Sequence, residues 1–105
     1  MALGATSADT LSRRIAIDGP MTIYEAGSNK RELLEALAGS RGLEIDLFNV
    51  DEFDTAGLQL LVLVQREALK AGKPVQLAGA SAAVLEVLDR YGLGTRFGDP
   101  AAPPL

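Results

Sequence analysis

Phe53-Asp54-Thr55-Ala56-Gly57-Leu58-Gln59-Leu60-Leu61-Val62-Leu63-Val64 follows closely on Leu43-Glu44-Ile45-Asp46-Leu47, and the two stretches carry different periods. Leu43, Ile45 and Leu47 alternate with Glu44 and Asp46, the two-residue repeat of a strand with one buried face. Phe48 and Val50 are candidates to extend it. From Thr55 onward the spacing is helical. At about 100° per residue, Gly57, Leu60, Leu61, Val64, Ala68 and Ala71 share one arc, the core face. Asp54 supplies an N-cap and Gly72 a C-terminal stop, so the helix covers 55–71. A strand running into a capped amphipathic helix points to an α/β chain.

The same reading extends in both directions. Upstream, Ile15 and Ile17 alternate in a strand over 13–18, and Gly19-Pro20 marks a turn. Met21 to Tyr24 is β-prone, which predicts a second short strand and a hairpin or bent pair. Asn29 with Glu32 has capping-box spacing, and Leu33, Leu34 and Leu37 stripe a helix over 29–38 that ends near Gly39. Downstream, Pro74 opens a strand over 75–78. Ser81 then caps a helix over 82–91 carrying Val84, Leu85, Val87 and Leu88, with Gly92 just past its end. The predicted order is β-β-α-β-α-β-α, a mixed sheet of four to five strands with packed helices. The predicted core contains Ile15, Ile17, Leu34, Leu37, Ile45, Leu47, Leu61, Val64, Leu77, Leu85 and Leu88. Residues 1–11 and 99–105 read as flexible tails around one domain over 12–98.

Composition excludes several chemistries. With 105 residues there is room for one domain. No cysteine and no histidine are present. That removes disulfides, thiolate nucleophiles, His-based triads and Cys- or His-bound metals. Ten basic and 14 acidic residues give a net charge of −4, which disfavours nucleic acid and anionic membrane surfaces. No dinucleotide or phosphate-loop motif occurs, so no cofactor is expected. Asp51, Glu52 and Asp54 read as a solvated loop plus a cap rather than a magnesium site, because adjacent residues rarely converge without further ligands. No catalytic residues and no metal site are assigned. The longest apolar run is Leu60 to Val64, too short for membrane insertion, and no secretory signal precedes it. A cytoplasmic location is the expectation.

Two features near the cap carry functional readings. Thr55, Gln59, Arg66 and Lys70 lie on the arc opposite the core, with Val62 inside that arc and Leu63 at its edge. The bland reading is scattered surface aliphatics. The sharper one is a docking face with a small apolar centre and a polar rim. Asp54 is either a simple cap or part of a functional turn where backbone N–H groups and the helix dipole gather. A phosphate at this turn gains from those N–H groups and is repelled by Asp54.

Phe53 to Leu61 resembles the signature of STAS domains, the anti-sigma-factor antagonist family. The resemblance runs from about Arg14 to Leu93 and includes Gly72-Lys73-Pro74 and Tyr91-Gly92-Leu93. It implies a small α/β domain and a non-enzymatic regulatory module. Taken with the arc opposite Leu61 and Val64, it makes Asp54, Thr55, Ala56, Gly57, Gln59, Val62, Leu63 and Arg66 the expected partner-binding residues. In the antagonist branch the residue before the glycine is a phosphorylated serine; here it is Ala56, which has no hydroxyl, and Thr55 is the substitute candidate. The Gly-Leu-Gln-Leu-Leu continuation resembles small STAS proteins of signalling and chemotaxis operons. The implied partner is a kinase-type anti-sigma factor or a chemotaxis or signalling protein. The Asp-Thr-x-Gly form also resembles the STAS subunit of phospholipid-transport ABC complexes, where the partner is the transporter ATPase.

Overall fold

Leu43–Leu47 forms the central strand of a three-stranded parallel sheet, and the computed structural model describes residues 12–94 around it. The expected tails, and residues 95–98 of the expected domain, lie outside the described residues. Strand β1 (Arg13–Ala16) is followed by α1 (Ala26–Ala38), β2 (Leu43–Leu47), α2 (Thr55–Lys70), β3 (Val75–Ala80) and α3 (Ala82–Arg90). Each helix is a crossover between parallel strands or follows the last one, as parallel pairing demands. The small α/β class stands as read. The sheet has three parallel strands among the described residues, not a mixed set of four or five.

The lost strand has a long-range cause. Beyond β1, the N–H groups of Ile17, Gly19 and Met21 donate to the carbonyls of Asp46, Asn49 and Glu52 at 3.0, 3.0 and 2.8 Å. The chain therefore continues alongside the segment leaving β2 and does not turn back on β1. Met21 makes one parallel bridge to Phe53, and Thr22 to Glu25 form a turn in place of a second strand. That turn starts α1 three residues earlier than predicted. Asn29 is inside the helix and buried, so it is no N-cap; the position before the helix is Glu25. The capping-box spacing belongs instead to Thr22 and Glu25. The Thr22 N–H and hydroxyl donate to Glu25 Oε1 at 3.0 and 2.6 Å.

The alternation in β2 sets the layers. Ile15, Ile45 and Leu77 stand in register, as do Arg14, Glu44 and Gln76. The first set belongs to the apolar face. The second shares the polar face with Asp46, which pairs with Arg14 at 3.3 Å. Leu61, Val64 and Ala68 from α2, Leu33, Ala36 and Leu37 from α1, and Val84 and Leu88 from α3 join Ile45 and Leu47 in one core. Of the predicted core, Ile15, Leu34 and Leu85 are half-buried at its margin, while Met21 and Val50 are fully enclosed. Phe48 does not extend β2: its N–H folds back onto Asp46 Oδ1 at 2.9 Å. Ala71 is exposed, because the helix stops at Lys70. The positive φ of Gly72 (69°) and Gly92 (70°) closes α2 and α3 as read.

Candidate functional site

The Asp54–Gly57 turn sits where the chain leaving β2 meets the start of α2. Asp54 has an extended backbone (φ −121°, ψ −171°) and caps the helix through Oδ1, which accepts from the N–H of Ala56 at 2.9 Å and of Gly57 at 3.2 Å. These are two of the helix's otherwise unpaired donors, and the dipole favours the negative charge there. The other oxygen, Oδ2, accepts from the Ile23 N–H at 3.2 Å. One carboxylate thus joins the Thr22–Glu25 turn to the first turn of α2.

Space dictates the glycine of the motif. A Cβ on Gly57 would lie 2.6 Å from the Met21 carbonyl oxygen and 2.8 Å from the Phe53 ring. The Met21–Phe53 bridge brings these groups against α2, and only glycine admits that approach.

Thr55, the first residue of the helix, is exposed, and Ala56 beside it is half-buried. Gln59 and Arg66 are exposed, and Val62 and Leu63 are half-buried. These four, with Leu58, line a shallow cleft of ≈330 Å³ on α2. The structure therefore gathers Gln59, Val62, Leu63 and Arg66, while Asp54, Thr55, Ala56 and Gly57 form the turn at the helix start.

Sequence reasoning missed Ile23 and Tyr24, which are 68% and 91% exposed beside the Asp54 cap. The signal was the Thr22-x-x-Glu25 spacing, which marks a turn rather than a strand. The Thr22 hydroxyl, followed by its backbone N–H, holds the Glu25 carboxyl below the usual carboxylate range. The Asp54 carboxylate opposes that shift. Asp51 and Glu52 are exposed, and Asp54 is engaged by three backbone N–H groups. Among the described residues no helix is long and apolar enough to cross a membrane.

Comparisons with known proteins agree on this architecture. A family model described as "Mlab, STAS domain" matches residues 5–99. The anti-sigma factor antagonist SpoIIAA in its unphosphorylated form superposes with a TM-score of 0.72 at 17% identity, covering 89% of this chain and 82% of that one. RsbS of Moorella thermoacetica, carrying a serine-to-glutamate substitution, gives 0.68 at 28% identity, covering 90% and 81%. A sulfate transporter family protein from Wolinella succinogenes gives 0.68 at 23%, covering 83% and 71%. No curated protein matches the sequence.

Proposed function

The chain belongs to the STAS domain family, and on that premise we propose that it is a non-enzymatic regulatory module that docks on a partner kinase or signalling protein. The docking surface is the Asp54–Gly57 turn with the outer face of α2. The observation that carries this reading is the cleft lined by Leu58, Gln59, Val62, Leu63 and Arg66. Val62 is half-buried there and takes no part in the core that Leu61 and Val64 serve, while half-buried Leu63 lies between the cleft and the margin of that core. An apolar centre with a polar rim is the make-up of a protein interface.

The capped turn supports a charge-operated switch. A phosphate on the exposed Thr55 hydroxyl adds roughly −1.5 to −2 charge directly beside Asp54. It competes with that carboxylate for the N–H groups of the first turn. The docking face becomes strongly negative at the turn without refolding of the core. SpoIIAA has a form described as unphosphorylated, and this likeness of fold supports the same kind of regulation.

A second reading, the regulatory STAS subunit of a phospholipid-transport ABC complex, rests on the Asp54-Thr55-Ala56-Gly57 form, in which Ala56 cannot accept phosphate. Capture of partners on the tagged full chain, with identification by mass spectrometry, separates the two. Recovery of a kinase-type anti-sigma factor or signalling protein supports the first reading. A transporter ATPase supports the second. Capture that persists with Val62→Asp overturns the α2 face in either case.

A further inference from the structure

A second cleft, of ≈550 Å³, lies between the Thr22–Tyr24 turn, residues 51–54 and α3. Its apolar lining comes from Phe53, Ala83 and Val87. Its charged lining is lopsided: Asp51, Glu52, Asp54 and Glu86 oppose the single guanidinium of Arg90. Arg90 is already paired with Glu86 at 3.1 Å, and Asp54 is occupied by backbone N–H groups. That leaves the exposed carboxylates of Asp51 and Glu52 to set the charge of the rim. Among the described residues no three carboxylates converge as a metal ion requires, so the negative charge is spread along a groove. Tyr24, 91% exposed, offers its ring at the same cleft.

We propose that this cleft receives an arginine side chain from a basic segment of a protein partner. The match is chemical at each part of that side chain. The aliphatic stem covers the half-buried Phe53 and Ala83, which a small hydrated cation leaves wet. The planar guanidinium stacks on the Tyr24 ring and donates to the rim carboxylates, and an ammonium does both less well. The acidic net charge of the whole chain steers such a segment toward it. Asp54 borders both this cleft and the Thr55 turn, so a partner on the α2 face reaches the cleft with an adjoining segment. The assignment does not depend on which partner that is.

The test is titration of the full chain with oligo-arginine, oligo-lysine and oligo-glutamate peptides at low ionic strength, followed by calorimetry. Oligo-arginine binds more tightly than oligo-lysine, and oligo-glutamate does not bind. Asp51→Lys and Glu52→Lys each weaken oligo-arginine by at least about tenfold. Tyr24→Ala reduces the preference for arginine over lysine. Asp89→Lys, an exposed site on α3 that is not part of the cleft lining, makes the same charge change and leaves binding within about twofold. Equal loss in Asp89→Lys reduces the effect to net charge and overturns the proposal. So does the absence of arginine binding, or an arginine preference indifferent to Tyr24. Val62→Asp separates the two sites: it abolishes docking on α2 while the arginine peptide still binds.

Discussion

Asp54 Oδ2 accepts the backbone N–H of Ile23 at 3.2 Å, across 31 positions of sequence, while Oδ1 of the same carboxylate caps α2. The side chain that starts the long helix therefore also holds the turn that starts the first one. Asp54→Ala removes both attachments. It is expected to cost about 1–2 kcal/mol, the upper range for loss of an N-cap. Asp54→Asn retains the acceptor and recovers part of the loss. Urea unfolding of the three proteins measures this, and a loss under about 0.3 kcal/mol for the alanine variant shows that water replaces the carboxylate.

Two Gly→Ala changes should have opposite signs. At Gly57 the new methyl meets the Met21 carbonyl at 2.6 Å, which is backbone and cannot swing aside. The expected cost is about 1–3 kcal/mol, the range for overpacking a close contact. At Gly27, in the first turn of α1, a Cβ meets nothing within 4 Å. There alanine stabilises by about 0.5 kcal/mol through helix propensity. Thermal melts of both variants against the parent check the pair.

The Glu25 carboxyl makes the acid limb of stability sensitive to one turn. Its pKa is lowered in the folded chain, chiefly by the Thr22 hydroxyl. A lowered folded pKa contributes stability above the unfolded value of about 4.3, and that contribution is lost as pH falls through the folded value. Thr22→Ala is expected to return the Glu25 titration toward the ordinary range, observed by NMR of its side-chain carbon. A Glu25 titration unchanged in Thr22→Ala contradicts the assignment.

Asn29 is 8% exposed in α1, and its Nδ2 has no hydrogen-bond partner. A buried donor left unpaired costs about 1–3 kcal/mol. Asn29→Leu, which keeps the branched four-heavy-atom shape with apolar ends, should therefore raise the unfolding midpoint. A lower midpoint would mean that the amide satisfies a need that leucine cannot meet.

On the proposed docking surface, Thr55→Glu and Val62→Asp are each expected to weaken partner binding by at least about 2 kcal/mol, the scale of a hot spot. Thr55→Glu puts its charge at the helix start, where the dipole tolerates it, so the melting curve stays close to the parent. With a cognate kinase and labelled ATP, label appears on the chain and is absent from Thr55→Ala. Label elsewhere, or none, removes Thr55 as the switch.

Local pattern alone delivered most of the elements. Alternation in Leu43–Leu47, the helical arc through Leu61 and Val64, the Asp54 and Ser81 caps and the closures at Gly72 and Gly92 depend on residues within a few positions of one another. The exposed arc with Thr55, Gln59 and Arg66 was legible for the same reason. Three things required the tertiary structure. Met21 to Tyr24 has strand-forming residues, yet the N–H groups of Gly19 and Met21 found carbonyls on the chain leaving β2, and a local preference yields to available long-range hydrogen bonds. Gly57 looked like part of a motif string, but its requirement comes from Met21 and Phe53 pressing on the helix. The acidic cleft exists only because the Thr22–Tyr24 turn, residues 51–54 and α3 converge there. Periodicity tells which face of an element is buried; it carries no information on which distant backbone or side chain that face will meet.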